Sequence, residues 1–129
     1  MPPFLPPSGL PTLSAAVPTR LIKLCRTAEV PHGRPITVIH AGLPRIVVFR
    51  VDEKFFAAVD RCSHGNARLS DGAQSQGLIY CPLHGGAFDI ATGRAVAPPC
   101  RTPIKTLPVV VQAECIYVET VATSPGSII

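Results

Sequence analysis

Cys62-Ser63-His64 and Cys81-Pro82-Leu83-His84 set two cysteine-histidine pairs sixteen residues apart, within the stretch RCSHGNARLSDGAQSQGLIYCPLHGG. Thiolates and imidazoles both ligate metals, so the pattern asks for a metal centre, and the question is which one. A single tetrahedral zinc is one answer. Structural zinc sites, however, commonly place two cysteines in one knuckle and two histidines in the other, whereas both knuckles here are mixed. A cluster of two irons and two sulfides suits the mixture better, each loop giving its cysteine to one iron and its histidine to the other. Two ferric ions, two sulfides and two thiolates sum to zero charge, where four thiolates would leave minus two. Electron addition then meets less negative charge, and the reduction potential rises, to roughly −150 to +300 mV against about −400 mV for all-cysteine plant-type clusters. Such a centre has no open coordination position, so it carries single electrons and leaves bond chemistry to another protein.

The residues around the pairs suit that task. Gly65, Gly72, Gly77, Gly85 and Gly86 are crowded about the four candidate ligands Cys62, His64, Cys81 and His84. They permit positive φ and a close approach of backbone N–H groups to sulfur. Pro82 stiffens the second knuckle. His32 and His40 lack a cysteine at ligand spacing and read as surface or edge histidines, in a turn and a strand respectively. Cys25, Cys100 and Cys115 read as small buried apolar residues. Asp89, in FDIATGR, opens a tight Asp-x-x-Thr-Gly turn more readily than it serves as an acid catalyst.

The elements that must hold these loops are short. Apolar bursts rich in β-branched and aromatic residues fall at 20–25, 35–41, 45–51, 55–60, 77–81, 86–90, 107–112 and 115–120, and all are of strand size. Turn chemistry separates them, as in AGLPR, VDEK, SDGAQSQG and DIATGR. The spacing predicts meandering antiparallel sheets, with one brief helical turn near TAEVPHG capped by Thr27 and stopped by Pro31. With 129 residues the chain fits one domain with tails. Residues 1–19 form a Pro-rich extension, 20–119 the domain, and 120–129 a loose tail.

Composition excludes other classes. The formal charge of +4 is spread along the chain, with only five Phe and two Tyr, so no basic element interleaved with aromatics suggests nucleic-acid binding. No apolar run approaches the roughly 18 to 20 residues of a membrane span. Residues 1–19 carry six prolines and no charge, which is unlike a signal peptide, and five cysteines do not make a fully paired disulfide framework. The expected location is therefore the reducing cytoplasm.

CSHGNARLSDG followed by YCPLHGGAFDIATGRAVAPP resembles the soluble Rieske-type ferredoxins of multicomponent aromatic-ring-hydroxylating dioxygenases, over about residues 20–119. The resemblance implies an all-β Rieske fold, an antiparallel β-sandwich with a small loop-rich cluster-binding subdomain at about 61–100. It implies one Rieske [2Fe-2S] cluster per chain, with Cys62 and Cys81 on the inner iron and His64 and His84 on the outer, exposed one. Ala97-Pro98-Pro99 would cover the cluster from a third side, and Gly65, Pro82, Gly85 and Gly86 would support its loops. Respiratory Rieske proteins add a cysteine to each loop and pair them, and they place Ser and Tyr after the second histidine as hydroxyl donors. This chain has Gly86 and Phe88 there and no extra loop cysteine, which implies a potential toward the low end of the range.

The function so implied is that of a monomeric one-electron carrier without a catalytic site of its own. It takes electrons from an NAD(P)H-dependent flavoprotein reductase and passes them to a terminal oxygenase, docking through His64, Pro82, Leu83 and His84. A small subunit of an assimilatory nitrite reductase, a zinc-binding interaction module and a stand-alone redox sensor are the alternatives.

Overall fold

A computed structural model describes residues 19–63, 65–83 and 85–121. The Pro-rich stretch before residue 19, the tail after 121, and both candidate histidine ligands, His64 and His84, lie outside the described residues.

The strands are β1 (Thr19–Arg26), β2 (Ile36–Val38), β3 (Ile46–Val51), β4 (Lys54–Val59), β5 (Ala73–Ser75), β6 (Leu78–Tyr80), β7 (Ala87–Asp89), β8 (Ala95–Ala97), β9 (Thr106–Leu107), β10 (Val109–Gln112) and β11 (Cys115–Val121). They form three antiparallel sheets in the orders β1-β11-β10, β2-β3-β4-β9 and β5-β6-β7-β8. The reason lies in β3. Ile46, Val47, Val48 and Phe49 are all buried, the pattern of a strand covered on both faces. Because neighbours along a strand point to opposite sides, Ile46 and Val48 enter one core and Val47 and Phe49 the other. The first core adds Ala57, Leu107, Cys25, Val30, Ile116 and Val118 beneath the three-stranded sheet. In the second, Ala58 from β4 joins Leu69, Ile79, Phe88, Ile90 and Ile104 from the following segment.

That segment is an insertion. β4 pairs directly with β9 through Ala57 and Leu107, so residues 60–105 leave the middle sheet and return beside their point of departure. The excursion carries its own small sheet, β5 to β8. Its first hairpin turns on Gln76 and Gly77, with φ of 52° and 80°, and the β10–β11 hairpin turns on Ala113 and Glu114, with φ of 49° and 63°. Two consecutive left-handed residues match the right-handed twist of the strands they join.

All eight apolar bursts lie on strands, but β5, β8 and half of β9, Thr106, fall outside them. They contain two or three residues each and gain their order from a neighbour. The helical turn exists as a single 3-10 turn, Thr27–Glu29, yet Thr27 does not cap it. The Arg26 N–H donates to Glu29 Oε1 at 2.8 Å, while the Thr27 hydroxyl donates to Glu114 O at 3.4 Å. His40 lies beyond the end of β2 and not in a strand, and both His32 and His40 are exposed. No helix among the described residues is long and apolar enough to cross a membrane.

Candidate metal centre

The first loop leaves β4 at Asp60, which is only 5% exposed. Its main-chain N–H donates to Arg45 O at 2.8 Å. Its carboxylate accepts from the Ser70 N–H at 2.8 Å, the Ser70 hydroxyl at 2.6 Å and the Thr37 hydroxyl at 3.2 Å. One buried acid thus fixes both ends of the loop, since Ser70 lies in the 3-10 turn Leu69–Asp71 that closes it, and ties them to β2. Between those ends the Cys62 N–H donates to Ala67 O at 2.9 Å, and Arg61 Nη2 donates to Asn66 Oδ1 at 2.8 Å. Cys62 itself is 1% exposed.

The second loop joins β6 to β7 after the pair Tyr80 and Ala87. The Cys81 N–H donates to Gly86 O at 2.6 Å and the Gly85 N–H to Cys81 O at 3.1 Å, with Gly85 at φ 75°. These bonds turn the Cys81 side chain into the core, where it is 3% exposed, and leave Pro82 and Leu83 outside, Leu83 at 57%. The two loops meet: a methyl group on Gly65 would stand 3.8 Å from Leu83 Cδ1.

A third segment follows β8. Pro98 and Pro99 are joined by a cis peptide bond, Pro98 exposed and Pro99 half-buried. Cys100 after them is a buried free thiol whose Sγ lies 3.8 Å from Cys62 Sγ. The Ser63 hydroxyl donates to Thr102 O, binding this segment to the first loop. Burial pushes the Cys100 thiol up to about 12, with a hydrogen bond to Cys62 and the neighbouring charges of Cys62 and Cys81 adding to it. Gly86 explains how the sulfur fits. A methyl group at Gly86 would run into Cys100 Sγ and stand 3.1 Å from both Ala97 O and Cys100 N.

The glycines therefore divide by purpose. Gly77 and Gly85 have positive φ, whereas Gly72 and Gly86 serve close approach, a methyl group at Gly72 colliding with Tyr80 O. Cys25 is buried as expected, but Cys115 is only half-buried. Asp89 opens the expected turn, its Oδ1 accepting from the Ala91 N–H at 3.0 Å and its carbonyl from the Gly93 N–H at 2.7 Å. Reading the sequence alone missed Asp60, and it missed that Cys100 faces Cys62. An aspartate before a cysteine carries no distinctive spacing, and nothing in the chain marks a thiol 38 residues away as a neighbour.

Two buried sulfurs, one from each knuckle, on loops that touch beneath an exposed tip, form a donor set suited to the thiolate side of a two-iron cluster. Among the described residues no three His, Cys, Asp or Glu side chains gather to hold a metal ion, His64 and His84 lying outside them. The model of the Rieske [2Fe-2S] domain matches residues 20–108. The 3-phenylpropionate/cinnamic acid dioxygenase ferredoxin subunit of Photorhabdus laumondii subsp. laumondii is 42% identical over 96 residues, covering 74% of this chain and 90% of the relative. The structure of the Sphingomonas yanoikuyae B1 ferredoxin superposes with a TM-score of 0.76 at 42% identity, covering 78% of this chain and 99% of that one. A complex of reduced oxygenase and oxidized ferredoxin in carbazole 1,9a-dioxygenase matches with a TM-score of 0.73 at 32% identity, covering 84% of this chain and 96% of that one. With its inserted subdomain and paired sulfur-bearing loops, the chain belongs to the Rieske [2Fe-2S] family, and its cofactor is a Rieske-type [2Fe-2S] cluster.

Proposed function

We propose that this protein is a one-electron carrier of an aromatic ring-hydroxylating dioxygenase system, fed by an NAD(P)H-dependent flavoprotein reductase and delivering to the terminal oxygenase. Cys62 and Cys81 hold one iron as thiolates, and His64 and His84 hold the other, in a working unit of residues 20–119 whose cluster-binding part is about 61–100. When bound, the cluster supplies a one-electron couple. Gly65, Gly85 and Gly86 shape the loops that hold it, and Pro98 and Pro99 wall its third side. Gly86 and Phe88 offer no hydroxyl to the sulfurs, which keeps the potential low. The chain acts in the cytoplasm as a monomer with one cluster and no catalytic site of its own.

The observation that carries this reading is the contrast within one loop. Cys81 is 3% exposed and Leu83, two residues on, is 57% exposed, so a sealed sulfur sits directly beneath an apolar tip. On this reading partners dock through Leu83 and Pro82 together with the two histidine ligands, His64 and His84, in a small contact of the kind that transient electron-transfer partners use. The ferredoxin–oxygenase complex of the carbazole 1,9a-dioxygenase relative supports the same pairing. The test is reconstitution with a reductase and an oxygenase from the same source, scoring NADH-dependent ring hydroxylation. Turnover that requires this protein is expected, and equal turnover without it refutes the assignment.

A further inference from the structure

Cys100 is the buried nucleophilic group that the carrier reading leaves without a task. Its sulfur lies 3.8 Å from that of Cys62, inside hydrogen-bond range for sulfur, and Cys62 is 1% exposed, so no water competes for the contact. The space it fills is the space a side chain at residue 86 would take, since a methyl group at Gly86 collides with Cys100 Sγ. A buried free thiol therefore stands where Gly86 brings no donor. An ordinary thiol is protonated at neutral pH, and its S–H is a weak donor.

We propose that Cys100 is a tuning residue, its S–H donating to the Cys62 sulfur and raising the reduction potential of the cluster. This rests on the reading of Cys62 as a ligand. Reduction adds one electron to the cluster, the proton stays on Cys100, and no covalent bond of the protein changes. Added negative charge on the sulfur strengthens the hydrogen bond, so the reduced state gains more than the oxidised one. Glycine at 86 and cysteine at 100 then form one device, the first vacating the volume that the second occupies.

The test compares Cys100→Ala and Cys100→Val, which remove the donor, with Cys100→Ser, which keeps one. Each holoprotein is equilibrated with a redox dye. The alanine and valine proteins should shift the equilibrium about three- to tenfold toward the oxidised form, roughly 30 to 60 mV by the one-electron factor of 59 mV per tenfold. The serine protein should stay at or above the wild-type potential. If all three shift together, or none shifts, Cys100 is packing alone and the proposal is overturned. A second measurement leaves Cys100 in place: with Cys25 and Cys115 replaced by alanine, the infrared S–H band of Cys100 should move to lower frequency on reduction. An unmoved band overturns the proposal even where the alanine and valine proteins fail to hold a cluster. Cys62→Ala separates the two levels. Retention of an unaltered cluster spectrum in that variant sinks the ligand assignment itself, whereas cluster loss there with unchanged Cys100 variants sinks the tuning role alone.

Discussion

Asp60→Ala should loosen the first cluster loop. The carboxylate is 5% exposed and accepts two short hydrogen bonds from Ser70, at 2.8 and 2.6 Å, and a longer one at 3.2 Å from exposed Thr37. Hydrogen bonds to a charged group contribute about 1.5 to 3 kcal/mol each when buried. Ser70 is half-buried, so water recovers part of the loss, and the expected cost is about 3 kcal/mol. Asp60→Asn keeps a carbonyl for the Ser70 N–H and should cost about 1 to 1.5 kcal/mol. A protein with a bound cofactor does not unfold as a simple two-state system, so the rate of cluster bleaching in guanidinium is the suitable readout. If the whole effect falls on unfolding, Asp60→Ala bleaches about a hundredfold faster than wild type and Asp60→Asn about tenfold faster. Bleaching of the alanine protein within twofold of wild type would refute the anchoring role. Equal rates for the two variants would refute the charge-assisted part of it.

Gly86→Ala forces a methyl group against Cys100 Sγ and should destabilise by about 1 to 3 kcal/mol, of which Cys100→Ala in the same chain restores at least half. A double-mutant cycle that is additive within about 0.5 kcal/mol contradicts the contact. Burial, then the charges of Glu29 and Cys115, push the Cys25 thiol from 9.0 up to about 11. Because the folded value is the higher one, the stabilisation is complete below pH 9 and is lost as pH rises toward 11, by up to about 3 kcal/mol. Cluster-bleaching rates in guanidinium taken between pH 8 and pH 10.5 should therefore rise more steeply for wild type than for Cys25→Ala, and parallel curves refute this. Leu83→Asn places an uncharged polar side chain on the exposed tip and should weaken oxygenase docking by about 1 to 2 kcal/mol, a five- to thirtyfold rise in the ferredoxin concentration for half-maximal turnover. The reduction potential should stay put. An unchanged concentration dependence would move the docking surface elsewhere.

The eight apolar bursts were legible because each places β-branched or aromatic residues at strand length, and burial of those residues decides the sheets. Ile46 to Phe49 even shows the double coverage of the middle sheet as an unbroken apolar run. β5 was not legible. Ala73-Gln74-Ser75 has no apolar pattern, and it becomes a strand because the Gln76-Gly77 turn folds it onto β6. The cysteine-histidine pairs pointed to a metal centre by residue type and spacing, and the match of the Rieske [2Fe-2S] domain over residues 20–108 gives the chain that class of cofactor. Asp60 and Cys100 gave no such signal, because their roles come from topology: the pairing of β4 with β9 returns the chain beside its point of departure, and only then does residue 100 face residue 62. Where a contact depends on which distant segments a sheet brings together, local sequence has nothing to show.

The same topology bears on what an electron carrier needs from its protein. Transfer is fast when the groups around the centre hardly move between the two charge states, since a preorganised environment pays no reorganisation at the moment of transfer. Each sulfur-bearing loop here is closed by a backbone bond across its own base, Cys62 to Ala67 and Cys81 to Gly86, and both cysteines pack into the core under the twice-buried middle sheet. The tip is built differently. Pro82 and Leu83 are exposed, so a partner can cover them and expel water without disturbing a core residue. If the tip is the docking surface proposed above, one six-residue loop separates the part that must stay fixed from the part that must bind and release, and the separation occurs between Cys81 and Leu83. A substitution at the tip should change how tightly partners dock, and one at the base should change how the centre is held or tuned. Leu83→Asn and the Cys100 variants are chosen to move those two properties independently.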